Sequence, residues 1–158
     1  MTHPAIPEGF VPVKLGSHFA SHSASLFARW HAGKLQVGFV VEPHQTNPGG
    51  NCHGGMLSLL ADIVLSSAAQ YQTDIPRQFL PTISLQLDFM NGAPLGGWVQ
   101  GEADILQVTN KLVFSQGLLV CNGKAVARAS GVFRRGPLLP DTESDHRLAL
   151  PGMPVRCG

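Results

Sequence analysis

Across residues 56–69 the apolar side chains Met56, Leu57, Leu59, Leu60, Ile63, Val64, Leu65, Ala68 and Ala69 cover most of a helical wheel. This predicts a helix buried on nearly every side, too short and too serine-rich to span a bilayer. Ser58, Asp62 and Ser66 interrupt it at steps of four, a narrow polar seam along a greasy rod. Asp62 is the only formal charge in the stretch from Asn47 to Gln72. An ionised carboxylate taken out of water without a partner is costly, and Asp has no capping role in mid-helix, so the seam is expected to face a site.

Elsewhere the pattern has the two-residue period of strands. Residues 25–31 and 35–42 flank Ala32-Gly33-Lys34 and predict a hairpin, with Leu35, Val37, Phe39 and Val41 on the face that meets the helix. The first regular element is expected near Ala24. Residues 80–90 alternate Ile83, Leu85, Leu87 and Phe89 with Thr82, Ser84, Gln86 and Asp88, a half-buried strand. Two more strands are expected at 98–108 and 112–121, and Asn122-Gly123 signals a tight turn into a last one from Lys124 to about Arg134. Strands in runs around one helix argue for an α+β fold with an antiparallel sheet. The proline-containing residues 1–12 read as an arm, 13–136 as one domain and 137–158 as a tail.

At 158 residues there is chain enough for a single core. Eleven basic residues against ten acidic, with no basic block, argue against nucleic acid as a partner. The N-terminus lacks the pattern of a secretory signal and no stretch is long enough to cross a membrane, so a cytoplasmic protein is expected. The three cysteines, Cys52, Cys121 and Cys157, lie far apart, as in a reduced compartment.

The helix start supplies a second chemical element. Glycines 54 and 55 allow close backbone approach, and the unpaired N–H groups of a first turn favour a developing negative oxygen, as in an oxyanion hole. Gly54 and Asp62 are separated by eight residues, about 12 Å at the α-helical rise, too far to act on one carbonyl carbon. If both are catalytic, a two-fold axis must bring the first turn of one chain beside Asp62 of another, giving a homodimer with two composite sites.

Asn47, His53-Gly54-Gly55 six residues on, Asp62 nine further, and a Thr82-Ile83-Ser84-Leu85 strand after a short insert form a specific pattern. It resembles that of the hot-dog-fold acyl-CoA thioesterases, the PaaI-type branch related to 4-hydroxybenzoyl-CoA thioesterases, over about residues 9–135. The resemblance implies a curved antiparallel sheet wrapped around one long helix, and hydrolysis of an acyl-CoA to free acid and CoA. Neither a metal nor a cofactor is implied, and dimers are expected to pair into tetramers. Gly54 N–H, with Gly55, would hold the oxyanion, and Asp62 would activate water as general base or attack the carbonyl itself.

Asn47 matches a position beside the water or thioester, and alternatively makes an Asx-turn before Pro48. His53 would hydrogen-bond the departing thiolate or pin the loop. Thr82 stands where some relatives carry a serine of the site. Ser66 is expected against the substrate, in an apolar slot beside the seam. Lys111, with Arg128, Arg134 and Arg135 as further candidates, would meet the CoA phosphates. A Cys52–His53 thiol nucleophile and a His44, Cys52, His53 metal site fit the spacing less well. Two other hot-dog functions remain as alternatives, a non-catalytic acyl-CoA-binding regulator and a dehydratase.

Overall fold

The computed structural model describes residues 6–14 and 18–139. In chain order the elements are β1 (Val11–Pro12), α1 (Phe19–Ser23), β2 (Phe27–His31), β3 (Lys34–Val40), a 3-10 turn (Pro43–Gln45), α2 (Gly54–Gln72), β4 (Thr82–Phe89), β5 (Trp98–Val108), β6 (Leu112–Cys121) and β7 (Lys124–Arg134). The strands form one antiparallel sheet in the order β1-β2-β3-β5-β6-β7-β4. α2 packs against β3, β5, β6, β7 and β4. This is the hot-dog arrangement expected from the sequence.

Local chemistry sets the limits of α2. His53 is the N-cap residue, its Nδ1 accepting from Gly55 N–H at 2.8 Å. At the other end Thr73 Oγ1 donates to Ala69 O. The Gln72 amide clamps the last turn to the sheet, accepting from Leu35 N–H at 2.9 Å and donating to Ala103 O at 3.0 Å. Leu60, Val64, Leu65 and Ala68 then meet Leu35, Val37, Phe39, Val99, Val113, Leu119, Val126 and Phe133 in one buried core. The sheet comes close enough because two positions carry no side chain. A Cβ on Gly101 would lie 2.5 Å from Leu119 Cδ2, and one on Gly117 would lie 2.2 Å from Glu102 O. Leu60, wholly buried at the centre of α2, is expected to cost about 2–5 kcal/mol when cut to alanine. Urea unfolding monitored by circular dichroism would measure it.

Two of the hairpin turns have paired left-handed residues, Ala32 and Gly33 (φ 50° and 78°) and Asn122 and Gly123 (φ 51° and 79°), which match the right-handed twist of the strands they join. Three expectations need correction. Regular structure begins before Ala24: β1 pairs with β2, α1 follows it, and Phe10 of the supposed arm packs edge-on against Trp98 with ring centroids 4.9 Å apart. The chain does not leave the fold at Gly136. Leu138 bridges to Gln78, and Leu139 N–H donates to Arg77 O at 3.1 Å, while 140–158, including Cys157, lie outside the described residues.

The third correction concerns β4. Leu85 and Leu87 are half-buried, but Ile83 is 57% and Phe89 54% exposed. β4 pairs only with β7 and forms one edge of the sheet. Its free side carries unpaired backbone groups flanked by apolar side chains, an arrangement that natural proteins usually cover.

Candidate active site

The seam is present on α2 with Ser58, Asp62 and Ser66 all half-buried. Its serines do not serve the carboxylate. Ser58 Oγ donates to Gly54 O at 2.7 Å and Ser66 Oγ to Asp62 O at 2.8 Å, each turned back onto its own helix. The group that does meet Asp62 is Thr82, whose Oγ1 donates to Asp62 Oδ1 at 2.6 Å. Thr82 is delivered by the start of β4, where it pairs with Phe133 and where Arg134 N–H donates to Pro81 O at 2.9 Å. The strand shifts register between Thr82 and Ser84; such irregularities re-aim a side chain. Asp62 Oδ2 accepts from none of the described residues.

Thr82 fixes the rotamer of Asp62, so Thr82→Val is expected to lower kcat/KM roughly tenfold through loss of a charge-assisted hydrogen bond. An unchanged melting temperature alongside the kinetic loss would confine the effect to the site.

Beside this pair lies a cavity of about 290 Å³ bounded by α2 on one side and by residues 78–82 on the other. Asp62 and Thr82 stand at one end, Gln70, Tyr71 and Gln78 at the other, with Ile63, Ser66 and Leu80 between. Ser66 lines it, and Ala20 of α1 and Leu139 contribute to the rim. A larger concavity of about 550 Å³ lies on the outer face of the sheet among Lys34, Asp88, Asp104 and Arg128. It contains none of the candidate catalytic residues, and its charges are paired, Lys34 with Asp104 at 2.5 Å and Arg128 with Asp88 at 2.7 Å.

The loop before α2 makes a second centre. Asn47 Oδ1 accepts from Gly49 N–H at 2.9 Å and Asn51 N–H at 3.3 Å, the Asx-turn alternative of the sequence reading. His53 occupies Gly55 N–H, whereas Gly54 N–H has no acceptor among the described residues. Phe89, at the far end of β4, lies over Gly54; a Cβ there would lie 3.2 Å from its ring. Gly54 opens α2 and Asp62 lies near its middle, eight residues on, and the two stand against opposite ends of β4. A single chain does not bring them together.

Lys111 is exposed in the β5–β6 turn and does not line the cavity. It lies at the same end of the sheet as Thr82, because Leu112 pairs with Arg134 and Lys111 O accepts from Arg135 N–H. Arg128, held by Asp88, faces elsewhere. The rival chemistries lose their geometry. Cys52 is buried, which pushes its thiol up to about 11. The Nδ1 of His53 is spent on the helix cap and His44 Nε2 lies 3.2 Å from Ser23 O. Sequence reasoning missed Gln78 and put Phe89 on the apolar face of a half-buried strand. The extension of the seam by one more step of four to Gln70 was the available signal for the cavity's far end.

The profile of the thioesterase superfamily, 4HBT, matches residues 49–127. The chain belongs to this family. A Pseudomonas aeruginosa protein named "putative esterase" is 33% identical over 129 residues, which are 81% of this chain and 96% of the relative. Among solved structures, zebrafish thioesterase superfamily member 2 superposes with a TM-score of 0.63 at 27% identity, over 70% of this chain and 81% of that one. Escherichia coli PaaI, of the phenylacetic acid degradation operon, reaches 0.64 at 20% identity, over 78% and 89%. A Bacillus halodurans protein whose structure contains CoA also reaches 0.64 at 20%, over 71% and 74%. The family match begins at the loop ahead of α2 and takes in Gly54, Asp62 and Thr82, so the superfamily's region of the chain is the one that carries the candidate site. Among the described residues no helix is long and apolar enough to cross a membrane.

Proposed function

We propose that the protein hydrolyses acyl-CoA thioesters in a homodimer, each site combining Asp62 of one chain with the Gly54 N–H of the other. The observation that carries this reading is the opposite placement of the two groups on one edge strand. Thr82, at the start of β4, holds Asp62; Phe89, at its end, covers Gly54. Antiparallel pairing of two β4 strands across a two-fold axis sets the start of one against the end of the other. That brings Asp62 towards the partner's Gly54 twice, and buries Ile83 and Phe89 in the same step.

In such a site the free Gly54 N–H, at the positive end of α2, polarises the thioester carbonyl and holds the oxyanion. Asp62 Oδ2 faces the carbonyl carbon or the water that attacks it, while Thr82 keeps Oδ1 in place. His53 shapes the first turn. The acyl group lies along the seam, and Lys111, Arg134 and Arg135 gather at the sheet end near Thr82 where CoA phosphates could be met. That a relative of similar fold contains CoA supports this choice of thiol.

The test is thiol release from short, medium, long and aromatic acyl-CoAs, with molecular mass measured in solution at the assay concentration. Turnover by a dimer or tetramer is the expected result. Turnover by a monomer would exclude the composite site, and binding without thiol release would make the protein an acyl-CoA-binding regulator.

A further inference from the structure

Gln78 is only 5% exposed, lines the cavity that contains Asp62, and its Nε2 has no hydrogen-bond partner among the described residues. A buried amide donor left unpaired costs a native protein stability and calls for a reason. Its neighbours do not offer one. Gln70, which could have capped it, is already used at both ends: its Nε2 donates to Pro76 O at 3.1 Å and its Oε1 accepts from the backbone N–H of Gln78 at 3.3 Å. The backbone of Gln78 is held from the other side as well, by its bridge to Leu138. The backbone that carries the orphan donor is therefore held in position.

Its place in the cavity gives it a direction. Asp62, Ser66 and Gln70 follow one another at steps of four, so Gln70 and the adjoining Gln78 lie two turns, about 12 Å, beyond Asp62 along the helix. Residues 78–82 run back from there to Thr82, forming the opposite wall. A thioester carbon held at Asp62 would send its acyl group along this slot towards Gln78. Between the two ends the slot is largely apolar, with Ile63, Phe79 and Leu80 on its walls, and among the described residues no lysine, arginine or histidine lines it.

We propose that Gln78 is a specificity-determining residue whose Nε2 donates a hydrogen bond to a neutral oxygen carried on the distal part of the acyl group, a keto, hydroxyl or ether oxygen. A distal carboxylate is disfavoured, because among the described residues it would meet no cation in the slot and no charge but that of Asp62. The inference rests on the thioesterase reading of the same site.

Octanoyl-CoA and 7-oxo-octanoyl-CoA, with 3-phenylpropanoyl-CoA and 3-(4-hydroxyphenyl)propanoyl-CoA as an aromatic pair, separate the oxygen from the skeleton; suberyl-CoA adds the distal carboxylate. In at least one pair the wild type is expected to prefer the oxygenated member by about tenfold or more in kcat/KM, mostly through KM, because the contact is remote from the reacting carbon. Suberyl-CoA should be the poorest of the eight-carbon substrates. In Gln78→Met the preference should fall to near one, and Gln78→Glu, which replaces the donor with an acceptor, should disfavour the keto substrate.

Equal use of both members of each pair by the wild type overturns the proposal while leaving the hydrolase intact. So does an equal loss on both members in Gln78→Met, which would mark a structural role, and so does a preference for suberyl-CoA. If no member releases thiol, the hydrolase reading itself has failed. Calorimetric Kd values for the same pairs then decide Gln78 separately: a preference that disappears in the variant supports it, and equal Kd values refute it.

Discussion

Asp62→Asn is expected to lower kcat for thioester hydrolysis by two decades or more while leaving the oligomer intact. The substitution keeps the shape of the side chain and an oxygen able to accept from Thr82 Oγ1, but removes the charge that activates water or attacks the carbonyl. Asp62 is half-buried at one end of the slot and forms no ion pair among the described residues. Folding should thus be little affected, and the loss should appear in kcat rather than KM. Steady-state kinetics on the best substrate of the panel, with size-exclusion chromatography on the same preparation, provide the measurement. An Asp62→Asn enzyme as active as the wild type would remove Asp62 from the reaction.

The second large effect is a gain. Gly54→Val places a branched side chain against the Phe89 ring, from which even a lone Cβ at this position would be only 3.2 Å away, and screens the free N–H. Alone it should be nearly inactive, as should Asp62→Asn. Mixed by co-expression or by unfolding and refolding together, the two should recover activity, because a heterodimer contains one site with both native groups. Statistical pairing makes half of the dimers mixed, each with one good site, so about a quarter of wild-type activity is expected. Sites contained within single chains would recover none. The complementation assay therefore reads the geometry of the site directly, independent of which acyl group is used.

How far the sequence led depends on what kind of contact held each part. α2, the hairpins at Ala32-Gly33 and Asn122-Gly123, and the strands β5 to β7 were legible because period and turn chemistry act over a few residues. β1 was not, since two residues including a proline have no period; pairing with β2 and the packing of Phe10 on Trp98 secure them. The alternation in β4 was read correctly as a strand, but alternation does not reveal an edge, and on the apolar face of that half-buried strand Ile83 and Phe89 stay exposed in a single chain. Within the site, the isolated charge of Asp62 stood out against an apolar helix. Its partner could be suggested only by the family pattern around Thr82, and the orphan amide of Gln78 depends on contacts made eight residues away in sequence and in the returning chain at Leu138.

The strand that carries Thr82 also has a consequence for the order in which the molecule is made. β4 leaves the helix and crosses to the far side of the sheet, where its only partner is β7; Thr82 pairs with Phe133, 51 positions further on. A chain emerging from the ribosome would complete α2 and the first hairpin long before it could hold Thr82 against Asp62. Until β7 is synthesised, β4 has no neighbour and Ile83, Leu85 and Leu87 are without cover. Non-local pairing of this kind is slow to form and leaves apolar strands open to other chains. The Asp62–Thr82 pair and the edge on which two subunits would meet under the proposed reading are thus finished last and together, which keeps a partly made chain from presenting both at once.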